Sequence, residues 1–207
     1  MNILILNTSE LTGGAAVAAN RLAKALGKSG VEVSMLVRDR KTGDERVTAL
    51  NDSFWASRWN FIRFVWERLI IFICNHFRRK PLFQVSIANT GTDLSDHPLV
   101  KAADVIHLHW INQGFLSLAD IRKLALIGKP IVWTMHDMWP CTAICHYSFG
   151  CERFKKECGE CPFLSSSDKK DLSYHVFNKK RFLADSKIQL VAVSTWLRQQ
   201  AQDSALT

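Results

Sequence analysis

The opening of the chain limits its fold more than any other stretch. A short apolar run, Ile3-Leu4-Ile5-Leu6, leads into a polar loop over residues 7–14, a helical stretch over 15–28 closed by Gly30, and a second apolar run over 31–37. Apolar runs this short read as strands buried on both faces, and such strands belong to parallel sheets covered by helices. Strand, glycine turn, helix and strand in that order make a βαβ unit with a right-handed crossover. The helical period turns Val17, Leu22, Ala25 and Leu26 inward.

The pattern then repeats. Residues 83–88, 104–109, 131–135 and 188–193 read as further strands. Residues 53–79 read as a helix rich in aromatics and arginines, 168–184 as another, and Ser194 caps a last one. The helix over 117–127 is well punctuated: Ser117 caps it, Asp120 completes a capping box, and Gly128 with Pro130 ends it. This alternation predicts an α/β fold, a doubly wound, mostly parallel Rossmann-like sheet with helices on both faces. At 207 residues and 47% apolar composition, residues 1–207 can bury the core of a single domain.

Five of the six cysteines sit in a Cys-rich insertion over residues 141–164, at positions 141, 145, 151, 158 and 161. Cys158-Gly159-Glu160-Cys161 forms a tight knuckle, and Cys145 with Cys151 supplies a second pair that can fold back on it. Four thiolates around one tetrahedral Zn²⁺ would make a closed structural site. Cys141 is then spare, Cys74 remote, and His146 able to replace a sulfur. No basic region precedes the first apolar run, so the expected location is cytoplasmic and reducing, where clustered thiols are ligands more often than disulfides.

Ligands of an open parallel sheet bind at the carboxyl ends of its strands, and three polar clusters fall there. Thr12-Gly13-Gly14 ends the first strand's loop, where glycines let backbone approach a ligand and the following helix start favours an anion. His107 and His109 share one strand face, as a metal pair or as buried, hydrogen-bonded histidines, with Asn112 and Gln113 just beyond as amides able to read sugar hydroxyls. His136-Asp137 ends the 131–135 strand; the imidazole can exchange a hydrogen bond with a substrate oxygen while Asp137 fixes its tautomer or the loop.

Lys plus Arg exceed Asp plus Glu by 27 to 19, a net +8 that suits nucleic acid, lipid headgroups or a phosphorylated substrate. Residues 59–80 mix large apolar side chains with Arg58 just before them and Arg63, Arg68, Arg78, Arg79 and Lys80 among them. Arg63, Glu67 and Arg68 interrupt the most apolar window and argue against a membrane span. An interfacial helix on an anionic membrane surface and a core helix with a solvated edge both fit.

These residues resemble the N-terminal half of a family-four, GT-B-fold glycosyltransferase of the bacterial surface-polysaccharide type. The likeness rests on Gly13-Gly14-Ala15-Ala16 with Arg21-Leu22-Ala23 and Leu26, on the run from Asp104 through Trp110, and on Lys129-Pro130 leading through His136-Asp137-Met138-Trp139-Pro140. The cysteine block and Ser194-Thr195-Trp196-Leu197 complete it. The resemblance implies a retaining transfer of a sugar from a nucleotide-sugar donor to a glycan or lipid-linked acceptor in surface polysaccharide biosynthesis. It implies donor phosphate assistance rather than a carboxylate nucleophile. A peripheral place at the inner face of the plasma membrane is the expectation from the basic, aromatic stretch 59–80. Gly13 and Gly14 would lie near the donor phosphates and His136 near the transferred sugar, with His109, Asn112 and Asp137 among the donor- and acceptor-binding residues. A C-terminal donor-binding domain with a Glu-x7-Glu motif would complete the cleft; it is absent from these residues, so the chain alone should not turn over. The alternative, a zinc-containing nucleic-acid-binding module, follows from the charge and the thiols. It is disfavoured because aromatics do not interleave with Lys and Arg around the cysteines, so no nucleic acid partner is expected. A nicotinamide-dependent oxidoreductase is disfavoured by the missing G-x-G-x-x-G and by Arg38 ending the second strand, with Asp39 only near the place a ribose needs.

Overall fold

A computed structural model describes residues 1–79, 82–166 and 168–207. Lys80, counted in the basic stretch above, lies outside the described residues. One sheet runs through the molecule, built from β1 (Asn2–Ser9), β2 (Glu32–Asp39), β3 (Val47–Ala49), β4 (Val105–Leu108), β5 (Ile131–Met135) and β6 (Ile188–Ala192). All its pairings are parallel and its order is β3-β2-β1-β4-β5-β6. The connecting helices are α1 (Gly14–Lys28), α2 (Phe54–Cys74), α3 (Pro98–Ala102), α4 (Leu118–Leu126), α5 (Leu172–Lys180) and α6 (Thr195–Gln202). This is the doubly wound Rossmann-like arrangement, and its strand order reverses between β1 and β4, where such sheets open a crevice.

Strand alternation divides the core. Ile3, Ile5, Val33, Met35 and Val37 face α1, while Leu4, Leu6, Leu36, Ile106, Leu108, Ile131 and Trp133 face a larger core that takes side chains from α2, α3, α4 and α5. Ala16, Ala19, Asn20 and Ala23 form the buried face of α1. The expected inner residues Val17, Leu22 and Leu26 are only half-buried and Ala25 is exposed. Small residues let the helix lie close to the sheet, and the larger ones flank the contact. The Ser117 capping box is present as read, with both reciprocal bonds made.

Four elements differ from the sequence expectation. β1 continues past Leu6 to Ser9, because Asn7 and Ser9 keep register with Val37 and Asp39. β3 and α3, three and five residues long, join the fold unforeseen. The strand expected over 83–88 does not form; only Val85 makes an isolated bridge, to Cys145. Its backbone is satisfied otherwise. The amides of Ile87 and Ala88 donate to Glu67 Oε1, the Val85 carbonyl accepts from Arg68, and the Ser86 carbonyl accepts from Trp139 Nε1. Side chains there replace a sheet neighbour.

Candidate active site

The carboxyl ends of β1, β2, β4 and β5 surround a cleft of about 660 Å³, within the range of small-ligand sites. Gly13 and Gly14 form one wall. Gly13 has φ 90° and ψ 162°, a conformation that a side chain would strain, and it starts α1 with no side-chain cap. The first amides of α1 are therefore free, and no acidic residue occupies its first turn. That wall attracts anions. Arg38, Asp39 and Lys41 line the cleft from the end of β2, beside Gln113. Arg38 is oriented by Asp39 at 2.7 Å and by the Gln113 carbonyl.

His136 and Asp137 form the opposite wall. Behind His136 stands His109, only 3% exposed, with its Nδ1 2.9 Å from His136 Nε2. His107 lies beneath, its Nε2 2.8 Å from Thr134 Oγ1. Burial, then the neighbouring imidazoles, push His109 down to about 3; burial, then His136, pushes His107 down to about 4. Burial lowers His136 as well, so all three rings are neutral near pH 7.

Their tautomers follow. His109 Nε2 is buried with no partner among the described residues, and a bare lone pair is less costly there than an orphaned N–H. His109 therefore carries its proton on Nδ1 and donates to His136 Nε2, which leaves the proton of His136 on Nδ1. A neutral hydrogen-bond donor thus stands at the cleft. Of the two histidines that share the β4 face, half-buried His107 is thus bonded to Thr134 and buried His109 to His136.

Asp137 is fully engaged. It accepts from Trp110 Nε1 at 3.0 Å, from the Trp139 amide at 2.9 Å and from His146 Nδ1 at 2.8 Å. Burial alone would raise its pKa, but the bonds from His146, Trp139 and Trp110 outweigh it and hold the carboxylate below its ordinary value. These bonds hold the strand-end turn together.

With that geometry in place, the comparison with known families is informative: the model of Glycosyltransferase Family 4 matches residues 12–204. The chain belongs to Glycosyltransferase Family 4. Among curated proteins it is 33% identical, over 70 residues, to an Escherichia coli (strain K12) protein that carries the provisional name colanic acid biosynthesis glycosyl transferase WcaC. The match takes in 33% of this chain and 17% of that protein's length. No solved structure matches the chain significantly.

In this family-four domain Thr12 and Gln113 also line the cleft, while Asn112, His146 and the cysteines fall outside its wall. Asn112 is buried beneath it, its carbonyl accepting from Thr8 Oγ1, and half-buried Gln113 faces the cleft instead. His146 bonds Asp137 and is not among the residues lining the thiol cavity. All six cysteines are free, and Cys145, Cys151, Cys158 and Cys161 line one cavity of about 20 Å³ that Cys141 does not share. Burial pushes Cys158 and Cys161 up to about 12. Among the described residues no group of three or more His, Cys, Asp or Glu side chains is arranged to hold a metal ion. The donor set therefore suits zinc in kind, while the thiols as they stand do not close around an ion.

Sequence reading missed Lys180. Its fully buried ammonium donates to the carbonyls of Trp139 and, at 2.8 Å, Thr142, and packs 3.5 Å above the Trp139 ring. Burial lowers it to about 7. It ties α5 to the turn that follows His136. The helical period of α5 placed it among neighbouring basic residues, with nothing to mark it as the inward one.

Proposed function

We propose that this chain is the acceptor-side domain of a retaining glycosyltransferase, moving a sugar from a nucleotide-sugar donor to a glycan or lipid-linked acceptor in surface polysaccharide biosynthesis. The observation that carries the reading is one cleft with an uncapped, glycine-started helix on one wall and His136 on the other. The free amides of α1 would meet the donor diphosphate, aided by the charges of Arg38 and Lys41. His136, protonated on Nδ1, would donate to an oxygen of the transferred sugar as the sugar–phosphate bond opens. Asp137, committed to three donors, would act as a support and not as a nucleophile. The biosynthetic role named for the Escherichia coli relative supports a polysaccharide product. On this reading the protein works in the cytoplasm, at the inner face of the plasma membrane.

Gly13→Val tests the donor side. A β-branched residue at φ 90° costs about 1–3 kcal/mol of strain and displaces the start of α1. With native-length protein and a panel of nucleotide sugars, the variant should raise KM for the donor roughly tenfold with a smaller change in kcat. An unchanged KM, or no transfer from any nucleotide sugar by the parent protein, would count against the reading.

We also propose that Cys145, Cys151, Cys158 and Cys161 hold one structural Zn²⁺ after rotamer changes draw the sulfurs together. The supporting observation is that all four line the same small cavity. Zinc would deprotonate thiols that burial otherwise keeps neutral. Protein purified without chelators should contain about one equivalent of zinc, Cys158→Ser should lose it and unfold more readily, and Cys141→Ser should keep it. Metal-free protein with four reduced thiols and undiminished stability would end the idea.

A further inference from the structure

Helix α2 is inside out. Its inward side carries Asn60, Glu67, Arg68 and Ile71, all buried. Its outward side carries Trp55, Trp59, Ile62, Trp66, Leu69 and Ile73, spaced by four and three residues as one stripe, and each is between 42% and 79% exposed. Phe54, Phe61 and Val65 widen that stripe. The buried polar groups are tied into a network: Glu67 accepts from Ser86 Oγ, the Ile87 and Ala88 amides and Arg68, and Asn60 donates to Asn51, while Arg68 Nε has no partner among the described residues. The polar face therefore cannot be turned outward without breaking this network. A contiguous apolar patch of this size on a soluble protein marks a surface that meets something apolar.

The charge around the patch says what. Glu67 is the only acidic residue of α2, and it is wholly buried. Arg58 beside the stripe and Arg78 and Arg79 beyond its end are exposed. The stripe is thus apolar and Trp-rich, flanked by cations, with no acid of the helix facing out, and the chain as a whole carries +8. Indole rings and arginines flanking an apolar strip match the headgroup layer of an anionic bilayer. Two copies pairing through this face would bring cations together with no outward acid of the helix to offset them, which disfavours self-association. No helix among the described residues is long and apolar enough to cross a membrane, so this one would lie along the surface.

We propose that α2 docks the protein on anionic membrane through the stripe from Trp55 to Ile73. The helix, roughly 30 Å long at 1.5 Å per residue, also reaches the cleft. A Cβ on Gly114 would stand 3.2 Å from the Phe64 amide, and Gly114 follows Gln113 of the cleft wall. Docking would hold the cleft near a lipid-linked acceptor. That last step rests on the proposed transferase reading; the docking itself does not.

The test is flotation of the native-length protein with phosphatidylcholine vesicles, with and without phosphatidylglycerol, at two salt concentrations. The parent should bind the anionic vesicles, more weakly as salt rises, and scarcely bind the neutral ones. Trp59→Ser/Ile62→Ser/Trp66→Ser should remain folded and bind at least tenfold more weakly, and Arg58→Glu/Arg78→Glu should lose the anionic preference. Both variants should keep transfer to a water-soluble acceptor, which separates failure of docking from failure of the transferase reading. Undiminished vesicle binding by the triple variant, equal binding to both lipids, or a vesicle-free dimer that the triple variant dissolves would each overturn the proposal.

Discussion

His136→Ala in the native-length protein is expected to lower kcat by a factor of roughly ten to a thousand, the loss of one or two hydrogen bonds made in the transition state. The imidazole lines the cleft, is kept neutral by burial, and is supplied with its tautomer by His109. Its contribution should therefore appear in kcat more than in KM. The fold should be unaffected, because His136 is half-buried at a strand end and its side-chain partner, His109, is held by its own strand and neighbours. Steady-state kinetics on the variant decide the matter, with circular dichroism as the folding control. Undiminished turnover would remove His136 from the chemistry.

The second large effect is on stability. Glu67→Ala is expected to cost about 3–5 kcal/mol, measured as a fall in the urea midpoint at constant slope. Glu67 is wholly buried and its side chain serves four donors. Removing it leaves the Arg68 guanidinium, whose side chain is 10% exposed, without its counter-charge and strands two backbone amides. A Glu67→Gln variant keeps an acceptor but loses the charge and should fall between the two. A loss below about 1 kcal/mol would mean that the pair is solvated and that α2 is free to roll.

The same pair explains where sequence reading stopped. The central strands were legible because runs such as Ile3-Leu4-Ile5-Leu6, buried almost throughout, and the 131–135 stretch, buried on one face and half-buried on the other, show it in composition alone. The 83–88 stretch has that composition too, yet its hydrogen bonds go to Glu67, Arg68 and Trp139, side chains far away in sequence. In α1 the period was right and the phase wrong, because close packing selected alanines over leucines. In α2 both faces were visible as patterns, but only the partner residues decide which turns inward. At the cleft, the strand-end rule placed Gly13, Gly14, His136 and Asp137 together. The bonds joining His109 to His136 and Trp110 and His146 to Asp137 depend on the register of β4 against β5 and on a returning loop, which no local spacing encodes.

Lys180 gives the cleft a stiff side and a soft one. One ammonium, gripping two carbonyls of the turn after His136, welds that turn to α5, so that wall is an anvil. The glycine wall has no such clamp: Gly13 and Gly14 carry no side chain and have open space where a Cβ would stand. Adjustment to ligands of different size is therefore left to the phosphate-facing side, while the imidazole keeps its aim.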